Sequence, residues 1–182
     1  MEKIKFTLLA GSLLASLLVT ACSHQVGQET QKVVLNNTET PKYQTYVKVG
    51  QPVPVMQFTD IQGKHINLAQ SQNKKLLILF ATWCPDSQRA MKALVQSSLI
   101  DDNMIDIIGI GREENVESLS QFAKAYHLPF ALVADKDRSV YKQFATAGIP
   151  RFILLNEHNQ IVKTLLLEHE TKAGELLAPI QW

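Results

Sequence analysis

The stretch Leu76-Leu77-Ile78-Leu79-Phe80-Ala81-Thr82-Trp83-Cys84-Pro85-Asp86-Ser87 decides how this chain folds. Its first five residues are all apolar and follow the polar Asn73-Lys74-Lys75. A short apolar run without alternation is the pattern of a strand buried on both faces. Beyond Pro85 the apolar positions are Ala90, Met91, Leu94, Val95 and Leu99, which is helical spacing. Pro85 suits the first helical position, because it lacks an N–H and its φ is preset. Asp86 then falls in the first turn, where negative charge is favoured. Cys84 is thereby placed at a helix N-cap, at the C-terminal end of a central strand. Unpaired N–H groups and the positive end of the helix dipole face its sulfur and favour thiolate over thiol, with Asp86 opposing in part. A lone cysteine is otherwise core filler. Here the surroundings argue for a nucleophile.

The remaining pattern supplies the partners of that strand. Residues 105–110 read as a second strand, and Val116, Leu119, Phe122, Ala123 and Tyr126 give helical spacing over 113–126. His127 falls at that helix's C-terminal end, a favourable place for it. Residues 130–133 form a short strand and 138–145 a short helix. The polar turn 156–160 joins strands 152–155 and 161–167 as a hairpin. A helix over 171–177 closes the chain. This order predicts an α/β fold, a central mixed β-sheet flanked by helices on both faces.

Phe80 to Ser87 resembles the active-site turn of membrane-tethered thioredoxin-like oxidoreductases of the TlpA and ResA type, a group related to AhpC/TSA proteins. Trp83, Cys84 and Pro85 match the family's W-C-x-x-C segment, whereas Ser87 stands where the second cysteine belongs. The resemblance extends over most of the domain. Val49 to Asp60 is similar to the family's entry segment, in which a Val-Gly-x-x-x-Pro pattern leads into a strand. Ile61 to Leu68 is similar to the hairpin before the central strand. Ala147-Gly148-Ile149-Pro150, ahead of the apolar Phe152 to Leu155, resembles the family's Gly-apolar-cis-Pro segment, which faces the active cysteine. The resemblance implies a thioredoxin-like fold, a cis Ile149–Pro150 bond, and a substrate surface made of Trp83, Pro85, Ile149 and Pro150. Arg151 departs from the small polar residue common there. Pointed at Cys84 it favours the thiolate further; an exposed strand-end arginine is the alternative. Glu113 and Glu114 follow another strand, where a place near the site is one reading and a solvated loop the favoured one.

The N-terminus bears on the compartment. Lys3 and Lys5 precede an apolar run over residues 6–19, too short to span a bilayer comfortably, which reads as a cleaved signal peptide over 1–21. Val19-Thr20-Ala21-Cys22 resembles the lipobox of bacterial lipoproteins, which implies a lipidated Cys22 and a membrane-held protein facing the periplasm or another extracytoplasmic space of the cell envelope. Residues 22–46 are rich in Gln, Thr, Asn, Glu and Lys and are expected to be a flexible tether. Residues 47–182 then suit one thioredoxin-like domain.

The chain has two cysteines, so with Cys22 lipidated no internal disulfide can form. The five histidines are scattered without ligand spacing, so neither a metal nor another cofactor is expected. Lys and Arg number 18 against 17 Asp and Glu, mixed in sign, which points away from nucleic acid. The expected partners are exported protein thiols or disulfides, or a low-molecular-weight thiol. Cys84 would start exchange by attacking a disulfide, with Ser87 a hydrogen-bond donor to its thiolate and not a resolving thiol. Release would need an external thiol or a second cysteine on the substrate. The alternatives are a redox-inactive thioredoxin-fold protein that binds an exported partner and, less favoured, a one-cysteine peroxidase. Ala81 and Leu77 stand where a peroxidase pattern has Thr or Ser and Pro.

Overall fold

The computed structural model describes residues 43–167 and 177–182. The signal peptide over 1–21, Cys22, nearly all of the 22–46 tether and the 171–177 helix (except Leu177) lie outside the described residues.

Among the described residues, seven strands and two α-helices follow in chain order: β1 (Gln57–Thr59), β2 (His65–Asn67), β3 (Lys74–Phe80), α1 (Pro85–Val95), β4 (Ile105–Arg112), α2 (Val116–Tyr126), β5 (Ala131–Asp135), β6 (Arg151–Leu155) and β7 (Ile161–Leu166). β1 and β2 pair as an antiparallel hairpin, and the other five form one sheet in the order β5-β4-β3-β6-β7. β3 is parallel to β4 and antiparallel to β6, so the sheet is mixed, with the apolar 76–80 run at its centre. This is the thioredoxin-like α/β fold.

Successive side chains of a strand point to opposite faces. Leu77, Leu79 and Ala81 accordingly face one core, and Leu76, Ile78 and Phe80 the other. All six are fully buried, which explains the lack of polar alternation in this segment. Two right-handed crossovers running the same way along the sheet put α1 and α2 on one face. There Ala90, Met91 and Leu94 of α1 meet Leu119 and Phe122 of α2, with Phe80 and Phe122 ring centroids 5.6 Å apart. On the opposite face lie Phe58 of the hairpin, Val47 and Val53 of the entry segment, and Tyr141 and Phe144. The helical cover on that side, expected over 138–145, is a single 3-10 turn at Tyr141–Gln143. Asp135 is the reason. Its carboxylate accepts from the Val140 N–H at 3.0 Å and the Tyr141 N–H at 2.8 Å, and so fixes the backbone as a turn.

Two further boundaries differ from the sequence expectation. α2 starts at Val116 because Glu113 has a left-handed backbone, φ 62°, and Asn115 forms a reciprocal capping box with Ser118. His127 is its left-handed C-cap. Residues 43–46, expected to be tether, join the domain. The Tyr46 N–H donates to Phe144 O at 2.8 Å, and Gln44 and Thr146 exchange hydrogen bonds, Gln44 N–H to Thr146 Oγ1 at 2.9 Å and Thr146 N–H to Gln44 O at 3.0 Å. Polar composition misled there, since backbone groups pair irrespective of side-chain polarity. Among the described residues no helix is long and apolar enough to cross a membrane.

Candidate active site

The C-terminal end of β3 delivers the chain into α1 through Ala81, Thr82 and Trp83. Cys84 is the N-cap of α1, with Pro85 opening the helix and Asp86 in its first turn, as the residue types require. Asp86 pairs with Arg89 one turn on. Sulfur is a weak acceptor, and Cys84 makes no side-chain cap bond. Its Sγ–H lies 3.9 Å from the Ile149 carbonyl as donor, and the residue is 9% exposed. The Ile149–Pro150 peptide is cis, as the resemblance implies. Ile149 and Pro150 are buried beside the sulfur, whereas Trp83, 59% exposed, and Pro85 stand in solvent. Of the expected surface, then, two residues are open and two are covered.

Ser87 is fully buried at the third helical position. Its Oγ accepts the Ala81 N–H at 3.3 Å, which leaves its own proton for donation. Among the described residues Cys84 is the free cysteine and no cluster of three His, Cys, Asp or Glu could hold a metal.

Arg151 does not fill the role of a thiolate neighbour. Its Nε donates to Ala147 O and Gly148 O at 3.1 and 3.0 Å, Nη2 to Ala147 O at 2.6 Å, and Nη1 to Thr45 Oγ1 at 2.8 Å. It is buried rather than an exposed strand end. A planar fork that binds several carbonyls at once fixes the loop leading to Pro150. Tyr141 joins it, donating its hydroxyl to Gly148 O at 2.7 Å.

Glu114 takes the less favoured of its two sequence readings, a place near the site. It is 5% exposed, and a solvated loop is the wrong setting for it. Oε1 accepts from both the Thr82 N–H, at 2.7 Å, and the Thr82 hydroxyl, at 2.6 Å. Oε2 accepts from the Ser118 hydroxyl at 2.6 Å. Gln88 of α1 completes the clamp by donating to Thr82 O at 2.7 Å. Every polar group of the residue two before Cys84 is thus held. Gly111 makes the approach feasible, since a Cβ there would meet Leu119 at 2.6 Å and Glu114 at 3.0 Å. The available signal was positional: an acid just past the C-terminal end of a strand parallel to the one that presents the cysteine. Glu113, in contrast, is half-exposed and pairs with Arg112, Nη2 to Oε2, at 3.0 Å.

The AhpC/TSA family model matches residues 49–164. Among curated relatives, thiol-disulfide oxidoreductase ResA of Halalkalibacterium halodurans is 29% identical over 106 residues, which cover 57% of this chain and 60% of that protein. The sporulation thiol-disulfide oxidoreductase A of Bacillus subtilis is 27% identical over 110 residues, 57% of this chain and 66% of that protein. The chain therefore spans a little under two thirds of these relatives. Among solved structures, a candidate protein disulfide isomerase from Bacteroides thetaiotaomicron superposes with a TM-score of 0.64 at 27% identity, covering 74% of this chain and 86% of that one. A secreted Mycobacterium tuberculosis disulfide oxidoreductase shares the fold at a TM-score of 0.56 and 17% identity, over 67% of this chain and 94% of that one.

Proposed function

This chain belongs to the AhpC/TSA family, and from that premise we propose that it is an exported, lipid-anchored protein of the cell envelope that carries out thiol–disulfide exchange through one nucleophilic cysteine, Cys84. The observation that carries the reading is the pairing of Cys84, at a helix N-cap 3.9 Å from the carbonyl before a cis-proline, with a buried serine at the place of a resolving thiol. The thiolate attacks one sulfur of a disulfide, its S–S bond breaks, and the departing sulfur leaves as a thiolate. Cys84 is then held as a mixed disulfide. Ser87 cannot reopen it, since an alcohol does not carry out this exchange, but its free proton can be donated to the Cys84 sulfur across the N-cap-to-N3 turn. Release falls to an external thiol or to a second cysteine of the substrate. Thiol–disulfide oxidoreductases among the relatives support the reaction class.

The test is covalent capture. The full chain is mixed with exported-protein extracts oxidised to disulfides, and adducts are separated without reductant. Adducts that a small thiol releases and that Cys84→Ala abolishes are expected. A complete lack of adducts, with small disulfides also unreactive, rejects the exchange reading. The second reading, a redox-inactive binding protein, draws on the wide exposure of Trp83 beside an almost covered sulfur. Partner binding that survives Cys84→Ala and is lost in Trp83→Ala would favour it.

A further inference from the structure

Two arginines on the face of the thiol have no part in the chemistry above. Arg112 ends β4 and continues the row Ile108, Ile110 by the two-residue period of a strand, on the face that carries Leu77, Leu79, Ala81 and Cys84. Phe80 pairs with Gly111, so Arg112 is level with Ala81, about one strand spacing, ~4.8 Å, away. Arg138, just past β5, donates from Nη2 to Thr146 O at 2.8 Å. The two guanidinium carbons flank the Tyr141 ring at 5.0 and 5.3 Å from its centroid. Tyr141 in turn bonds to the carbonyl of Gly148, the residue before Ile149, which accepts from Cys84. The arginine pair and the sulfur thus border one loop.

The pair is incompletely neutralised. The Glu113 carboxylate meets Arg112 Nε at 3.1 Å and Nη2 at 3.0 Å, but stands 3.9 Å from Arg138 Nη1. Arg138 Nε is covered and has no hydrogen-bond partner. The arginine side chains are 15% and 24% exposed against 41% for Glu113, so the acid is more open to solvent than the cations it meets. The two guanidinium groups that meet the Glu113 carboxylate fit a carboxylate from another molecule in its place.

We propose that Arg112 and Arg138 form a carboxylate-binding subsite on the loop that also meets Cys84, and that the disulfide attacked there joins an exported protein thiol, R′S, to a low-molecular-weight thiol bearing a carboxylate, RS. The inference rests on the exchange reading. The pair meets a single carboxylate, which suits a small molecule better than an extended acidic peptide. Glu113 occupies the subsite in the free protein and gives way to the incoming carboxylate. The Cys84 thiolate attacks the RS sulfur of R′S–SR, that bond breaks, and R′S⁻ leaves and takes a proton from solvent. A second RS⁻ attacks the same sulfur of Cys84–S–S–R, forming RS–SR and returning Cys84 as thiolate. The net change, R′S–SR + RS⁻ + H⁺ to R′SH + RS–SR, returns the protein sulfur to a thiol and oxidises the second RS⁻.

The experiment follows modification of Cys84 in the full chain in detergent by three disulfides: dithiodiglycolate (anionic), bis(2-hydroxyethyl) disulfide (neutral) and cystamine (cationic). The tryptic peptide of residues 76–89 reports Cys84 separately from Cys22. Each rate is divided by that of the urea-unfolded chain, which removes intrinsic reactivity. The anionic-to-neutral ratio is expected to reach about tenfold, the size of one charge-assisted contact. It should fall severalfold in Arg112→Gln and Arg138→Gln and rise in Glu113→Gln. Opposite shifts in opposite-charge variants are not a result that unfolding gives. A ratio near one, or one that neither arginine variant nor Glu113→Gln moves, overturns the subsite while leaving exchange intact. A folded Cys84 inert to all three disulfides overturns the exchange reading and the subsite with it.

Discussion

Ser87 and Glu114 show how much of the site rests on single residues. Ser87 is fully buried one helical turn after Cys84, and cysteine is close to it in size. Ser87→Cys is therefore expected to fold and to acquire an internal disulfide on oxidation. Its mixed disulfides should open without added thiol at least about a hundredfold faster than those of the parent, because the second thiol is already in place. Mass spectrometry of adduct lifetimes checks this, and equal lifetimes would mean that position 87 does not reach the sulfur. Glu114 accepts three hydrogen bonds, two of them from Thr82. Glu114→Gln turns one acceptor into a donor and is expected to cost about 1–3 kcal/mol in denaturant unfolding, with slower alkylation of Cys84. Unchanged alkylation would limit Glu114 to a structural role. Cys84 was legible in the sequence because strand, proline and helix periodicity are all local to it. The bond of Glu114 to Thr82 was not, since the two lie 32 residues apart and only the β3–β4 register brings them together.

Long apolar or periodic elements were legible, and those set by side-chain-to-backbone bonds were not. β3 and α1 follow from hydrophobic pattern alone. The 138–145 segment has helical spacing, yet the Asp135 carboxylate and the left-handed Arg138, φ 64°, reduce it to a turn. That turn matters, because it aims the Tyr141 hydroxyl at Gly148. Gly148 has φ 89°, and a Cβ there would meet Tyr43 at 2.9 Å and Leu166 at 3.1 Å. Gly148→Ala combines a disfavoured backbone with a close contact. It is expected to destabilise the chain by about 1–3 kcal/mol and to shift the loop bearing Ile149, slowing Cys84 alkylation more than Gly50→Ala. At Gly50, φ 84°, a Cβ meets nothing within 4 Å, so this second variant separates backbone strain from loop displacement. Equal effects of the two would remove the loop from the account.

At the scale of the molecule, the fold class was legible from the order of elements, but the point at which the domain begins was not. Polar residues 43–46 lie against the 144–151 region through hydrogen bonds donated by the Gln44 and Tyr46 N–H groups and one that Thr45 Oγ1 accepts from Arg151. A chain starting at residue 47 is expected to be less stable than one starting at 43 by about 2–4 kcal/mol, from several lost hydrogen bonds of about 1 kcal/mol each. That lowers the melting midpoint by roughly 10 °C or more; coincident melting curves would show that the segment contributes nothing. The same attachment has a mechanical side. Any pull on the chain from upstream reaches the domain through residues 43–46, where Gln44 holds Thr146 and Thr45 holds Arg151, whose guanidinium holds Ala147 and Gly148. Tension therefore loads the loop that faces the Cys84 thiol before it loads the sheet.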